Sequence, residues 1–82
     1  PMVIELLCDG DKLEVILDRF GEDISFRRRG DGKFSFRTEM AISDGLVGDL
    51  IRLGSGVQVL SPKILREKVK EQLENLTQIY KD

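Results

Sequence analysis

Three consecutive arginines, Arg27, Arg28 and Arg29, followed closely by Lys33 and Arg37, are the residues of this 82-residue chain whose type and spacing could do chemistry. Guanidinium groups grip phosphates and carboxylates through paired N–H donors. If the run is extended, alternation divides it. Arg27 and Arg29 then share one face with Lys33 and Arg37 of the following segment, while Arg28 turns to the other. That face carries Ser25, Arg27, Arg29, Lys33, Ser35 and Arg37, with Glu39 beyond. Arg27, Arg29, Lys33 and Arg37 are therefore candidates for an anion site that takes a phosphate, a nucleic-acid backbone or an acidic partner. The plainer reading is a solvated outer face, or strand cations that discourage edge-to-edge pairing.

The other polar residues form no catalytic set. The chain has no histidine, hence neither the usual zinc ligand nor the usual base near neutral pH. Asp9, Asp11, Glu22, Asp23 and Asp44 are scattered turn acids and caps, without metal-ligand spacing. The turn Gly54-Ser55-Gly56 could cradle an anion on backbone amides, but such a turn more often reverses the chain. There is no nucleophile–base pair, P-loop or dinucleotide fingerprint. No enzyme activity, cofactor or metal is expected. The segment GKFSFRT loosely resembles the aromatic strand of RNA-recognition motifs. Facing Phe34 and Phe36 outward would send Arg37 and Glu39 into the core, at a prohibitive cost, so both rings are assigned to the core.

Length and composition bound the rest. The chain is one domain, 1–82, with a single small core. One cysteine, Cys8, excludes an internal disulfide and fits a cytoplasmic protein. Thirteen Lys and Arg against 15 Asp and Glu give a net charge of −2, so the overall field attracts neither DNA nor acidic membranes. No apolar run approaches a membrane span. Pro1 in place of a starting methionine leads us to expect a fragment of a longer protein.

The elements that position these residues follow from periodicity. Residues 2–8, MVIELLC, read as a strand with Met2, Ile4, Leu6 and Cys8 toward the core. Asp11 and Glu14 have capping-box spacing ahead of a helix carrying Leu13, Ile16, Leu17 and Phe20, which Gly21 ends. Residues 24–29 and 33–42 read as a hairpin. A three-residue loop pairs 28 with 34, 26 with 36 and 24 with 38, keeping every apolar side chain on the even face, with Gly32 left-handed. Ser43 or Asp44 caps a second helix with Leu46, Val47, Leu50, Ile51 and Leu53 as its stripe, and Gly54 stops it. A strand at 57–60 leads to Ser61-Pro62, read as cap and first helical position of a long helix.

The order β-α-β-β-α-β matches an α+β, ferredoxin-like βαββαβ sandwich. The last helix is additional. Its stripe of Leu65, Val69, Leu73, Leu76 and Tyr80, spaced 4, 4, 3 and 4, must bury itself on its own domain, another domain or a second chain. These five residues are the interface candidates.

The segment LVGDLIRLGSGVQVLSPKILREKVKEQLENLTQIY resembles the closing part of bacterial WYL-domain transcriptional regulators, the C-terminal extension called WCX. The likeness centres on Pro62, Leu65, Arg66 and Glu67 and extends through the helix around LDRFGEDI and the hairpin. It implies a non-catalytic, cytoplasmic module that dimerises the regulator and couples to its ligand-sensing domain. The homodimer would also contain WYL and winged-helix domains from the same full-length chain, and the DNA would be bound by the full-length protein rather than by this module. The alternative is a ferredoxin-like, ACT-like domain that binds a small effector or anion.

Overall fold

The computed structural model describes residues 1–82. Strand β1 spans Met2–Asp9 and passes through a 3-10 turn, Gly10–Lys12, into helix α1, Leu13–Phe20. Strands β2, Phe26–Arg28, and β3, Lys33–Met40, form a hairpin. Helix α2, Asp44–Arg52, is followed by a second 3-10 turn, Gly54–Gly56, and by β4, Val57–Ser61. Helix α3, Lys63–Ile79, closes the chain. The sheet order is β2-β3-β1-β4, and every neighbouring pair is antiparallel. This is the ferredoxin-like α+β arrangement with one further helix at the C-terminus.

The hairpin has the expected register: Phe26 faces Phe36, Arg27 faces Ser35 and Arg28 faces Phe34. Asp31 and Gly32 turn the tip at φ 62° and 71°, the left-handed region in which glycine is unstrained. The tip also touches the turn after β1. A Cβ on Gly10 would lie 2.7 Å from the Gly32 carbonyl oxygen, so this contact requires glycine at position 10.

The core lies on the helix side of the sheet. Ile4, Leu6 and Cys8 of β1 meet Phe34 and Phe36 of β3 and Val57 and Val59 of β4. Ile16, Leu46, Val47, Leu50 and Leu65 cover them from the helices. Each fully buried aliphatic side chain contributes roughly 1.5–3 kcal/mol relative to exposure. Phe20 and Phe36 pack at 5.5 Å between ring centroids, which joins α1 to the central strand.

Several local expectations are corrected. Only residues 26–28 of the expected 24–29 strand pair with β3, and β3 ends at Met40 rather than 42. The capping box of Asp11 and Glu14 does not form: Gly10–Lys12 turns as a 3-10 segment, and α1 begins after Lys12 without a side-chain cap bond. Leu13 remains 41% exposed. Ser43 caps α2 by accepting from the Leu46 amide at 3.2 Å. Ser61 instead belongs to β4. The extended Pro62 precedes α3, its carbonyl receiving the Leu65 and Arg66 amides at 3.1 and 3.2 Å.

Candidate functional site

The sheet face opposite the helices is built from the odd positions of β1, β2 and β3. Its register sets Glu5 across from Arg37 and Asp9 across from Lys33. Lys33 Nζ donates to Asp9 Oδ1 at 2.5 Å, and Arg37 Nε lies 3.6 Å from Glu5 Oε2. The hydrogen bond from Lys33 to Asp9 and the nearby Asp9 charge raise the Lys33 pKa above its ordinary value. Both pairs are at least partly open to water, where ion pairs add little stability.

Ser35, expected among the exposed residues of this face, is buried. It occupies a central strand between Leu7 and Arg27, and Arg29 Nη1 donates to its Oγ at 3.2 Å. Arg27, Arg29, Lys33 and Arg37 thus belong to one side of the hairpin, but not as an open cationic patch. Lys33 and Arg37 each have a carboxylate from β1, and Arg29 is held to Ser35. Arg27 has no carboxylate partner, and neither does Arg28, which lies on the helix side beside Phe34. The compensation arises from β1, with Asp9 lying 24 residues before Lys33 and Glu5 further still from Arg37, so composition of the hairpin alone does not reveal it.

The stripe of α3 is divided. Leu65 is completely buried and Val69 packs against the same core, so the first two turns of the helix are absorbed by their own domain. Leu65 is therefore corrected from interface candidate to core residue. Leu76 is half-buried, whereas Leu73 is 46% and Tyr80 79% exposed. Ile79, beside the stripe, is 68% exposed.

A groove runs between α2, β4 and the N-terminal half of α3. Leu50, Ile51, Val57, Val59, Val69 and Leu73 form its apolar lining, and Lys63 and Lys70 stand among its polar residues. Arg66 also lines it and donates from Nη1 to the Val59 carbonyl oxygen at 2.6 Å. Sequence reasoning missed this groove; the three- and four-residue spacing of Lys63, Arg66 and Lys70 sets them along one side of the helix, but the facing wall from α2 and β4 is not encoded in that spacing. Elsewhere, Arg19 of α1 bonds Asp49 of α2 through Nε at 2.8 Å and also through Nη2, joining the two helices. Asp49 also neighbours Arg52, 3.4 Å away.

Cys8 is an enclosed core thiol. Burial, reinforced by the neighbouring Asp9 charge, pushes its pKa up to about 11, which opposes the reactive thiolate form. No three His, Cys, Asp or Glu side chains gather as a metal-ligand group. No helix is long and apolar enough to cross a membrane.

The surfaces that stand out are thus a half-open helix stripe and a β-edge with unpaired arginines. The family model described as WCX domain matches residues 1–77. The chain belongs to the WCX domain family. No curated protein matches it. The WCX match encompasses the whole sheet and nearly all of α3, including the segment around Pro62, Leu65, Arg66 and Glu67 that carried the resemblance. Membership marks this chain as a regulatory-type domain. Ile79 and Tyr80 lie just beyond the matched residues, so the exposed end of α3 is only partly within the WCX pattern.

Proposed function

We propose that this WCX domain is a non-catalytic module of a WYL-family DNA-binding transcriptional regulator. It mediates dimerisation and couples to the ligand-sensing domain. WYL and winged-helix domains would lie in the same full-length cytoplasmic protein, which would bind DNA. The observation carrying the dimer reading is the exposed run of Leu73, Ile79 and Tyr80 beside half-buried Leu76 on α3. The helix is tied to its own domain at Leu65 and Val69, leaving its far end available to another surface. A stripe with this spacing suits packing by a second helix.

Sedimentation equilibrium of the domain at increasing concentration tests this reading. The expected result is a reversible monomer–dimer equilibrium, shifted toward monomer by Leu73→Lys or Ile79→Lys with the fold retained. A strictly monomeric domain at high concentration would overturn self-association through this helix. The alternative, a small anionic effector, is favoured only by Arg27, the candidate cation without a carboxylate or hydroxyl partner.

A further inference from the structure

β2 is a three-residue edge strand, paired on one side with β3 and on the other with no strand. At its end, the Arg29 amide donates inward to the Lys33 carbonyl at 2.9 Å. Backbone groups alternate in direction along an antiparallel strand. Arg27 therefore shares the inward direction, and the N–H and C=O groups of Phe26 and Arg28 point outward. Such an edge can accept another strand.

Charge selects what that strand can be. Arg27 and Arg28 have no carboxylate partner, and Arg29 follows immediately. Pairing two copies of β2 would bring arginines against arginines, which opposes self-association at this edge. An acidic segment would instead set carboxylates against guanidinium groups.

An apolar depression adjoins the same edge. Leu13, Phe26 and Phe34 border it with Gly10, Arg28 and Lys33, around a volume of about 510 Å³. Phe26 is 42% exposed although its ring packs edge-on against Phe34 at 5.2 Å. Phe26 and Arg28 share the helix-side face, where an incoming strand could place alternating residues against an apolar site and a cation.

We propose that the β2 edge docks an extended acidic peptide segment as a fifth strand. One aromatic or branched aliphatic residue lodges over Leu13, Phe26 and Phe34, with carboxylates against Arg27 and Arg28. This surface is independent of the dimer reading, because β2 lies at the opposite edge of the sheet from β4, against which α3 packs.

The test uses a short fluorescein-labelled peptide with a central phenylalanine flanked on each side by glutamates, which sets carboxylates on both faces of the added strand, titrated into the domain. Saturable fluorescence anisotropy is expected, with slowed amide hydrogen exchange at Phe26 and Arg28 by NMR. The pair Arg27→Ala and Arg28→Ala, and separately Phe26→Ser, weakens binding by roughly tenfold or more while the remaining spectrum stays native. Arg27→Glu with Arg28→Glu switches preference to the corresponding lysine peptide. The proposal is overturned by absent saturable binding, by binding without protection of the two amides, or by full binding to the Arg27→Ala, Arg28→Ala protein. Tighter binding of a single-stranded oligonucleotide to these residues would also overturn it, assigning the edge to nucleic acid.

Discussion

The guanidinium of Arg66 donates to the carbonyl oxygen of Val59 at 2.6 Å, joining α3 to the edge strand β4. A backbone carbonyl on a sheet edge would otherwise depend on water or another chain. The long helix therefore closes one edge of the sheet with a side chain as well as with its apolar surface, while β2 leaves the other edge unpaired.

Arg66→Met retains much of the aliphatic stem and removes this charge-assisted bond. A loss of about 1–2 kcal/mol is expected, because hydrogen bonds to charged groups exceed neutral ones and this site is only partly buried. Urea denaturation measures it. An unchanged midpoint would mean that water replaces the guanidinium at little cost.

Leu65→Ala and Leu73→Ala separate the two roles of the helix. Leu65 is fully buried, and its truncation should cost roughly 2–5 kcal/mol by leaving a cavity. Leu73 is nearly half exposed, and its truncation should cost the monomer under about 1 kcal/mol. Thermal melts of dilute protein report the difference. If the dimer reading holds, Leu73→Ala also weakens association.

Ser43→Ala removes the side-chain acceptor for the Leu46 amide. Loss of an N-cap of this kind costs about 1 kcal/mol. Equilibrium unfolding should register that loss, and Ser43→Asp should restore most of it. Equal stability of all three proteins would contradict a role for the cap.

Cys8 makes stability sensitive to alkali. Its folded pKa is raised from 9.0 to about 11, so the native state holds the proton more strongly than the unfolded chain. Stability is fully present below pH 9 and falls as pH rises through about 11, when the buried thiol is asked to ionise. Lys33, with its pKa raised by Asp9, adds a loss of the same sign above its usual 10.5. Urea midpoints across this range should decline more steeply for the natural protein than for Cys8→Ala. Identical slopes would remove Cys8 as the cause.

Much of the fold was legible because apolar side chains fell on even positions. That rule set the hairpin register and placed Ile4, Leu6, Phe34 and Phe36 in the core. Pairings between distant strands were not legible. Asp9 with Lys33 and Glu5 with Arg37 required the order of β1 against β3, which then changed the meaning of the basic hairpin. Burial of Ser35 likewise depends on its flanking strands and on Arg29 folding across it. Helical periodicity identified the α3 stripe but could not say where the domain's own core stops; that boundary falls between Val69 and Leu73. The expected box at Asp11 failed because capping spacing does not exclude a 3-10 turn immediately upstream.

That boundary has a thermodynamic consequence. Starting a helix is unfavourable, whereas lengthening one costs little per residue. The anchored turn around Leu65 supplies the nucleus, and the residues after Val69 extend it toward Ile79. A surface docking at Leu73 and Leu76 therefore meets backbone that is already ordered, and most of the conformational entropy has been lost before the encounter.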